Sequence, residues 1–238
     1  MTTMDAGPEG RRSPRGGWFV ALWILGAALA VPAGRILGDS LVTVLFYPAL
    51  IVATIFLPAR QSANLDGFEL IELAGYVSTM VGIALTVGLA QWLVLYGHSQ
   101  RLKWWWPATS AGLTLGALLN IGYRSHLWSL LGDSTTGLMS LDILGLVVGG
   151  AQGLVLRRQG YRTGWWVLAS AVGWQLGFLA RRWSHGLIAT PAFQALPDLL
   201  LGAVAGLITG AALVRLLRSS ATVHDTKRCP AVGSMHLL

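Results

Sequence analysis

The sequence predicts an all-α protein, a polytopic transmembrane helix bundle of six to seven helices built from about three repeated helical hairpins. Composition is the first reason. Of 238 residues, 54% are hydrophobic and 11% charged, whereas a soluble domain carries roughly 25% charged residues. The second is the 30 glycines and 11 tryptophans, since glycine lets membrane helices approach closely and tryptophan gathers at the membrane–water boundary. The third is an internal repeat.

Taken in order, residues 1–16 read as a disordered basic arm with Pro8, Pro14, Arg11, Arg12 and Arg15. Residues 17–218 form the bundle, with apolar runs at 18–31, 41–57, 73–96, 104–121, 141–156, 165–180 and 199–217. Several are shorter than the roughly 20 residues a bilayer core asks for, and flanking Gly, Ser and Thr extend them. The first run has a second reading as a signal peptide cleaved after Ala28-Leu29-Ala30, but the repeat gives it a place in the mature bundle. The run at 41–57, broken at Pro48, lies in an insertion spanning 36–69. Residues 219–238 read as a polar tail whose single cysteine, Cys229, excludes an internal disulfide.

Sliding the sequence on itself by 61 residues brings Gly-Leu-Ala-Gln-Trp-Leu-Val-Leu (88–95) onto Gly-Gly-Ala-Gln-Gly-Leu-Val-Leu (149–156) without a gap. Arg101 then falls on Arg162, Trp104-Trp105 on Trp165-Trp166, Gly112 on Gly173 and Gly116 on Gly177. Matched Gln, Arg and Trp-Trp in one register are hard to obtain by chance among apolar helices. The two repeats cover 78–121 and 139–182. Echoes at Gly17-Trp18-Phe19-Val20 and at Gly210-Ala211 suggest a third hairpin, whose last helix has Ala212 where the others have Gln91 and Gln152.

Basic residues set orientation. If 41–57 does not cross, the side of the N-terminus carries Arg11, Arg12, Arg15, Arg101, Lys103, Arg157, Arg158, Arg162, Arg215, Arg218, Lys227 and Arg228, against Arg35, Arg60, Arg124, Arg181 and Arg182 on the other. Six crossings with both termini in the cytoplasm is the expected topology, and 41–57 is a re-entrant or interfacial element.

Three groups of residues stand out. Gln91 and Gln152 need hydrogen-bond partners away from water and are expected to face the bundle, as interhelical bonds or as a polar lining. Gly112/Gly116, Gly145/Gly149, Gly173/Gly177 and Gly202/Gly206/Gly210 recur at four-residue spacing and read as grooves for close helix packing. At the outer ends, Arg124, Arg181 and Arg182, with His126 and His185 near them, form a possible anion or headgroup site, while Glu69, Glu72, Asp142 and Asp198 precede the return helices. The tryptophans at 104–106 and 165–166 are expected to anchor helices at the interface.

The pattern argues against several functions. Basic residues are scattered, so nucleic acid is not an expected partner. The five histidines, His98, His126, His185, His224 and His236, lie singly in loops or the tail, which suits neither a metalloenzyme nor haem, and no cofactor or metal is expected. No phosphate-binding loop occurs, and no serine stands in a hydrolase motif.

The pair Gly-Leu-Ala-Gln-Trp-Leu-Val-Leu with Trp104-Trp105, and Gly-Gly-Ala-Gln-Gly-Leu-Val-Leu-Arg-Arg with Trp165-Trp166, resembles a group of uncharacterised bacterial multi-pass membrane proteins with repeated Gln-Trp-Leu-Val-Leu-Arg and Trp-Trp hairpins. The likeness covers 82–179. Tyr96 stands where the pattern has arginine and Gly153 where it has tryptophan. The resemblance implies a topology in the cytoplasmic membrane and no mechanism. The expectation is a non-enzymatic bundle that binds membrane lipids, a membrane-protein partner or a second copy of itself. A facilitative transporter of a small anion along the hairpin axis is the alternative.

Overall fold

The computed structural model describes residues 16–48, 67–96, 102–131, 143–187 and 195–226. Among them the regular structure is helical: α1 (Gly16–Leu41), α2 (Gly67–Tyr96), α3 (Trp105–Leu131), α4 (Leu144–Arg157), α5 (Gly164–Leu187) and α6 (Leu196–Thr226). Helix α1 carries Pro32 inside it and continues through a π-helical turn at Val42–Phe46. The first part of the 41–57 run thus prolongs α1, and its remainder lies outside the described residues. Helix α6 runs seven residues beyond Ser219, from which the sequence reads as tail.

Each helix packs mainly on its chain neighbours, and α6 closes on α1, so the six form a ring. Neighbours run antiparallel. The seam pairs Trp23 with Thr209 and Arg35 with Asp198, one number rising as the other falls. The interior holds two apolar clusters. One, nearer the Trp-bearing ends of α3 and α5, includes Phe19, Trp23, Leu95, Trp105, Leu156, Trp166 and Leu213. The other, toward the arginine-bearing ends, includes Val31, Ala84, Val87, Leu113, Val148, Trp174 and Leu201.

Three helices are long and apolar enough to cross a bilayer: Gly17–Leu45, Leu73–Tyr96 and Leu196–Ser219. That fits a multi-pass membrane protein. Helices α3 and α5 have 27 and 24 residues, but their apolar character is diluted by polar side chains turned inward, among them Thr109, Asn120, Ser170 and Ser184. Helix α4, with 14 residues, reaches only about 21 Å.

The tryptophan pairs divide between two environments. Trp104 and Trp165 are 58% and 59% exposed, as interfacial anchors would be, while Trp105 and Trp166 are fully buried. Successive helical residues point about 100° apart, so one of each pair faces outward and the next faces the axis. The expectation that both anchor at the interface is corrected for Trp105 and Trp166.

Candidate functional site

Buried positions repeat at one spacing around the ring. On α1 they include Phe19, Trp23, Ala27 and Ala30, on α3 Trp105, Thr109, Leu113 and Gly116, and on α5 Trp166, Ser170, Trp174 and Gly177. The return helices bury Ala84, Val87, Gly88, Gln91 and Leu95 on α2, Gly145, Val148, Gly149, Gln152 and Leu156 on α4, and Gly206, Thr209, Gly210 and Leu213 on α6. Such a stripe recurs every three to four residues because that is the spacing of one helix face.

The two glutamines meet inside it. Gln152 Nε2 donates to Gln91 Oε1 at 3.0 Å and to Thr109 Oγ1 at 2.9 Å, while Trp105 Nε1 donates to the same Gln91 oxygen at 3.1 Å. A carbonyl oxygen has two lone pairs, so Gln91 Oε1 is saturated. The indoles form a chain across the axis, Trp23 to Trp105 at 6.1 Å and Trp105 to Trp166 at 5.5 Å between ring centroids, both edge to face. Trp23 Nε1 donates to Thr209 Oγ1 at 3.1 Å, and that hydroxyl donates to the Ala205 carbonyl at 2.7 Å. Trp166 Nε1 and Ser170 Oγ are buried without a hydrogen-bond partner among the described residues. Beside Gln91 and Thr209 a cavity leaves about 10 Å³ for the centre of a water molecule, bounded by Ala27, Val31, Val87 and Trp174. That is room for one water.

The nine glycines singled out from the sequence all face neighbours within the chain. A Cβ on Gly112 or Gly116 would lie 3.0 Å from the Val148 or Leu144 Cα, and on Gly145 or Gly149 at 2.9 or 3.0 Å from the Ala171 or Val167 Cα. A Cβ on Gly173 or Gly177 would lie 3.3 or 2.8 Å from the Ala205 or Leu201 carbonyl oxygen, and one on Gly202, Gly206 or Gly210 would meet Ala27 or Trp23. These faces are taken by the protein's own helices.

At the other end, Asp198 in the first turn of α6 is the buried centre of an ion cluster. Arg35 Nη1 donates to Asp198 Oδ2 at 3.1 Å, and Arg181 Nε lies 2.8 Å from Asp198 Oδ1 as a charge contact without hydrogen-bond alignment. Arg35 Nε is also 3.9 Å from Asp39, whose other oxygen accepts from Thr79 Oγ1 at 3.0 Å. Of the five residues of the outer anion site, Arg181 is therefore engaged by a carboxylate, and Arg182 and His185 are exposed. Arg124 and His126 stand on α3 with side chains outside the described residues, as do those of Glu69 and Glu72 on α2 and the whole of Asp142.

No family model, curated protein or solved structure matches the chain. The site is therefore read from its own geometry. Sequence reasoning missed Trp23, Thr109 and Thr209 in the polar core, because a lone threonine or tryptophan in an apolar run carries no signal of what it meets. It placed Arg35 and Arg181 on one side of the membrane and Asp198 at the start of a return helix, but only ring closure joins the three. Among the described residues no three His, Cys, Asp or Glu side chains gather as metal ligands would.

Replacing Asp198 by alanine is expected to cost about 2 kcal/mol, less than the 3–5 of a wholly buried pair because both arginines can turn outward. Thermal unfolding in detergent checks this. An unchanged midpoint would show that the carboxylate does not hold the seam.

Proposed function

We propose that the protein is a non-enzymatic, non-conducting helix bundle of the cytoplasmic membrane, with three copies of one hairpin arranged around a filled axis and both termini in the cytoplasm. In this role it presents its outer surface to membrane lipid or to a membrane-protein partner and supports structure or assembly. The observation that carries the reading is the hydrogen bond that Gln152 donates to Gln91 among the three indoles. A polar lining for a solute would turn these amide groups to water, whereas Gln91 Oε1 and Gln152 Nε2 are taken up by each other, by Thr109 and by Trp105.

The common spacing of buried residues supports the three-copy arrangement. Counted on it, the residue in step with Gln91 and Gln152 on α6 is Leu213, one place after Ala212. The twelve-to-five division of basic residues supports the orientation. Because the glycine faces are occupied internally, a partner would meet the exposed outer residues instead.

The test is flux. Vesicles reconstituted with the protein should pass small anions no faster than protein-free vesicles. Flux above that control, abolished in Gln91→Leu/Gln152→Leu, would replace this reading with a facilitative transporter.

A further inference from the structure

The cluster around Asp198 is unbalanced. The carboxylate side chain is 4% exposed, while those of Arg181 and Arg35 are 27% and 42% exposed. Among the described residues, one buried negative charge therefore faces two positive ones. Asp39 offsets Arg35 only in part, since it is 62% exposed at 3.9 Å and screened by solvent. Each guanidinium has five N–H donors. Asp198 takes one from Arg35 and contacts Nε of Arg181, so Arg35 Nη2 and both Nη groups of Arg181 meet no acceptor among the described residues. Exposed Arg182 and, one turn beyond Arg181, exposed His185 lie on the same stretch of α5.

Depth adds a second constraint. Arg35 follows Trp18 by seventeen residues and Arg181 follows Trp165 by sixteen, which are about 26 Å and 24 Å along a helix. Trp18 and Trp165 are both exposed, and with these rings at one interface the arginines would reach the far boundary of a hydrocarbon core roughly 30 Å thick. Trp183, 71% exposed, suits that boundary. Ile36 beside Arg35, and Leu196 and Leu200 flanking Asp198, are exposed apolar neighbours at the same level.

We propose that this seam between α1, α5 and α6 binds a phosphoryl anion, with Arg35 and Arg181 supplying the donors and Asp198 acting as the positioning carboxylate. The planar fork of arginine matches phosphate oxygens in pairs, which an ammonium does not. A phospholipid phosphodiester and free phosphate share this chemistry. The exposed apolar neighbours favour the phosphodiester of an anionic phospholipid, whose acyl chains would lie on Ile36, Leu196, Leu200 and Trp183. The inference rests on the lipid-binding side of the proposed function and names the lipid class.

The experiment uses the full chain in nanodiscs mixing phosphatidylglycerol with phosphatidylcholine, followed by native mass spectrometry of the lipids retained on gentle extraction. Wild type is expected to keep phosphatidylglycerol at least ~10-fold over phosphatidylcholine, the size of one charge-assisted contact. Arg35→Lys/Arg181→Lys retains the charges beside Asp198 but not the paired donors, and should retain several-fold less phosphatidylglycerol than wild type, while Arg157→Lys/Arg158→Lys at the other end should retain as much. If the double lysine variant does not fold, Arg35→Lys, at the more exposed arginine, makes the comparison. Equal retention of the two lipids by wild type, or undiminished retention of phosphatidylglycerol by the lysine variant, overturns the proposal. Displacement by inorganic phosphate supports the anion site and overturns the lipid as its source. Anion flux through vesicles would remove the non-conducting reading without altering this lipid preference, so the two failures are distinguishable.

Discussion

Trp105→Ala is expected to destabilise the protein by about 3–5 kcal/mol, the range for removing a buried aromatic side chain. Trp105 is fully buried between the rings of Trp23 and Trp166 and donates to Gln91. Its loss opens a void that lining atoms cannot fill and frees one lone pair on Gln91. Lipid is as apolar as the core, so the cost comes from lost packing and a lost bond rather than from transfer to water. Trp104→Ala, one residue earlier and 58% exposed, should change stability by no more than about 0.5 kcal/mol. Denaturant titration in detergent compares them. A Trp105→Ala protein with the wild-type midpoint would mean that the indole chain does not hold the ring.

The second large effect is expected at Gly82. A Cβ there would collide with the Gly34 carbonyl and lie 2.7 Å from the Gly38 nitrogen and 3.0 Å from its Cα. Those atoms are backbone, so α1 and α2 must separate, and Gly82→Ala should cost about 3 kcal/mol, the upper end for overpacking. Separation would also stretch the bond from Thr86 Oγ1 to the Ala30 carbonyl, now 2.7 Å. Gly75→Ala on the same helix meets nothing within 4 Å and should stabilise by up to about 1 kcal/mol through helix propensity. Thermal midpoints of the two variants in detergent should move in opposite directions, and a fall of equal size in both would indicate a general intolerance of α2 to side chains.

The sequence carried the class of the fold in its composition and the inward face of the helices in its glutamines, because a primary amide in an apolar run has few places to go. It did not carry the partners. That Gln91 meets Gln152 depends on α2 and α4 both reaching the axis past α3, which no local pattern states. The four-residue glycine rule applies to Gly34 and Gly38 as well, yet their neighbour Gly82 has no glycine four residues away, so the tightest approach of α1 to α2 has only half a signature. Trp105 and Trp166 read as interfacial because composition ranks tryptophan by type, whereas burial is decided by which side of the helix it occupies. The sequence offered Arg124, Arg181 and Arg182 as an anion site near acidic helix starts. Arg181 is bound instead to a carboxylate seventeen residues later, and Arg35 arrives from the far end of the chain.

That last separation has a consequence in time. Arg35 and Asp198 are 163 residues apart, and a chain elongating at about 5–20 residues per second takes roughly 8–33 s to cover the distance. Throughout that interval α1 is in the membrane without the helix that supplies its carboxylate and the Thr209 hydroxyl for Trp23. Arg35 must meanwhile extend toward the headgroup layer for its counter-charge. The half-made protein is an open arc with a cationic edge, and only synthesis of the final helix brings Asp198 against it.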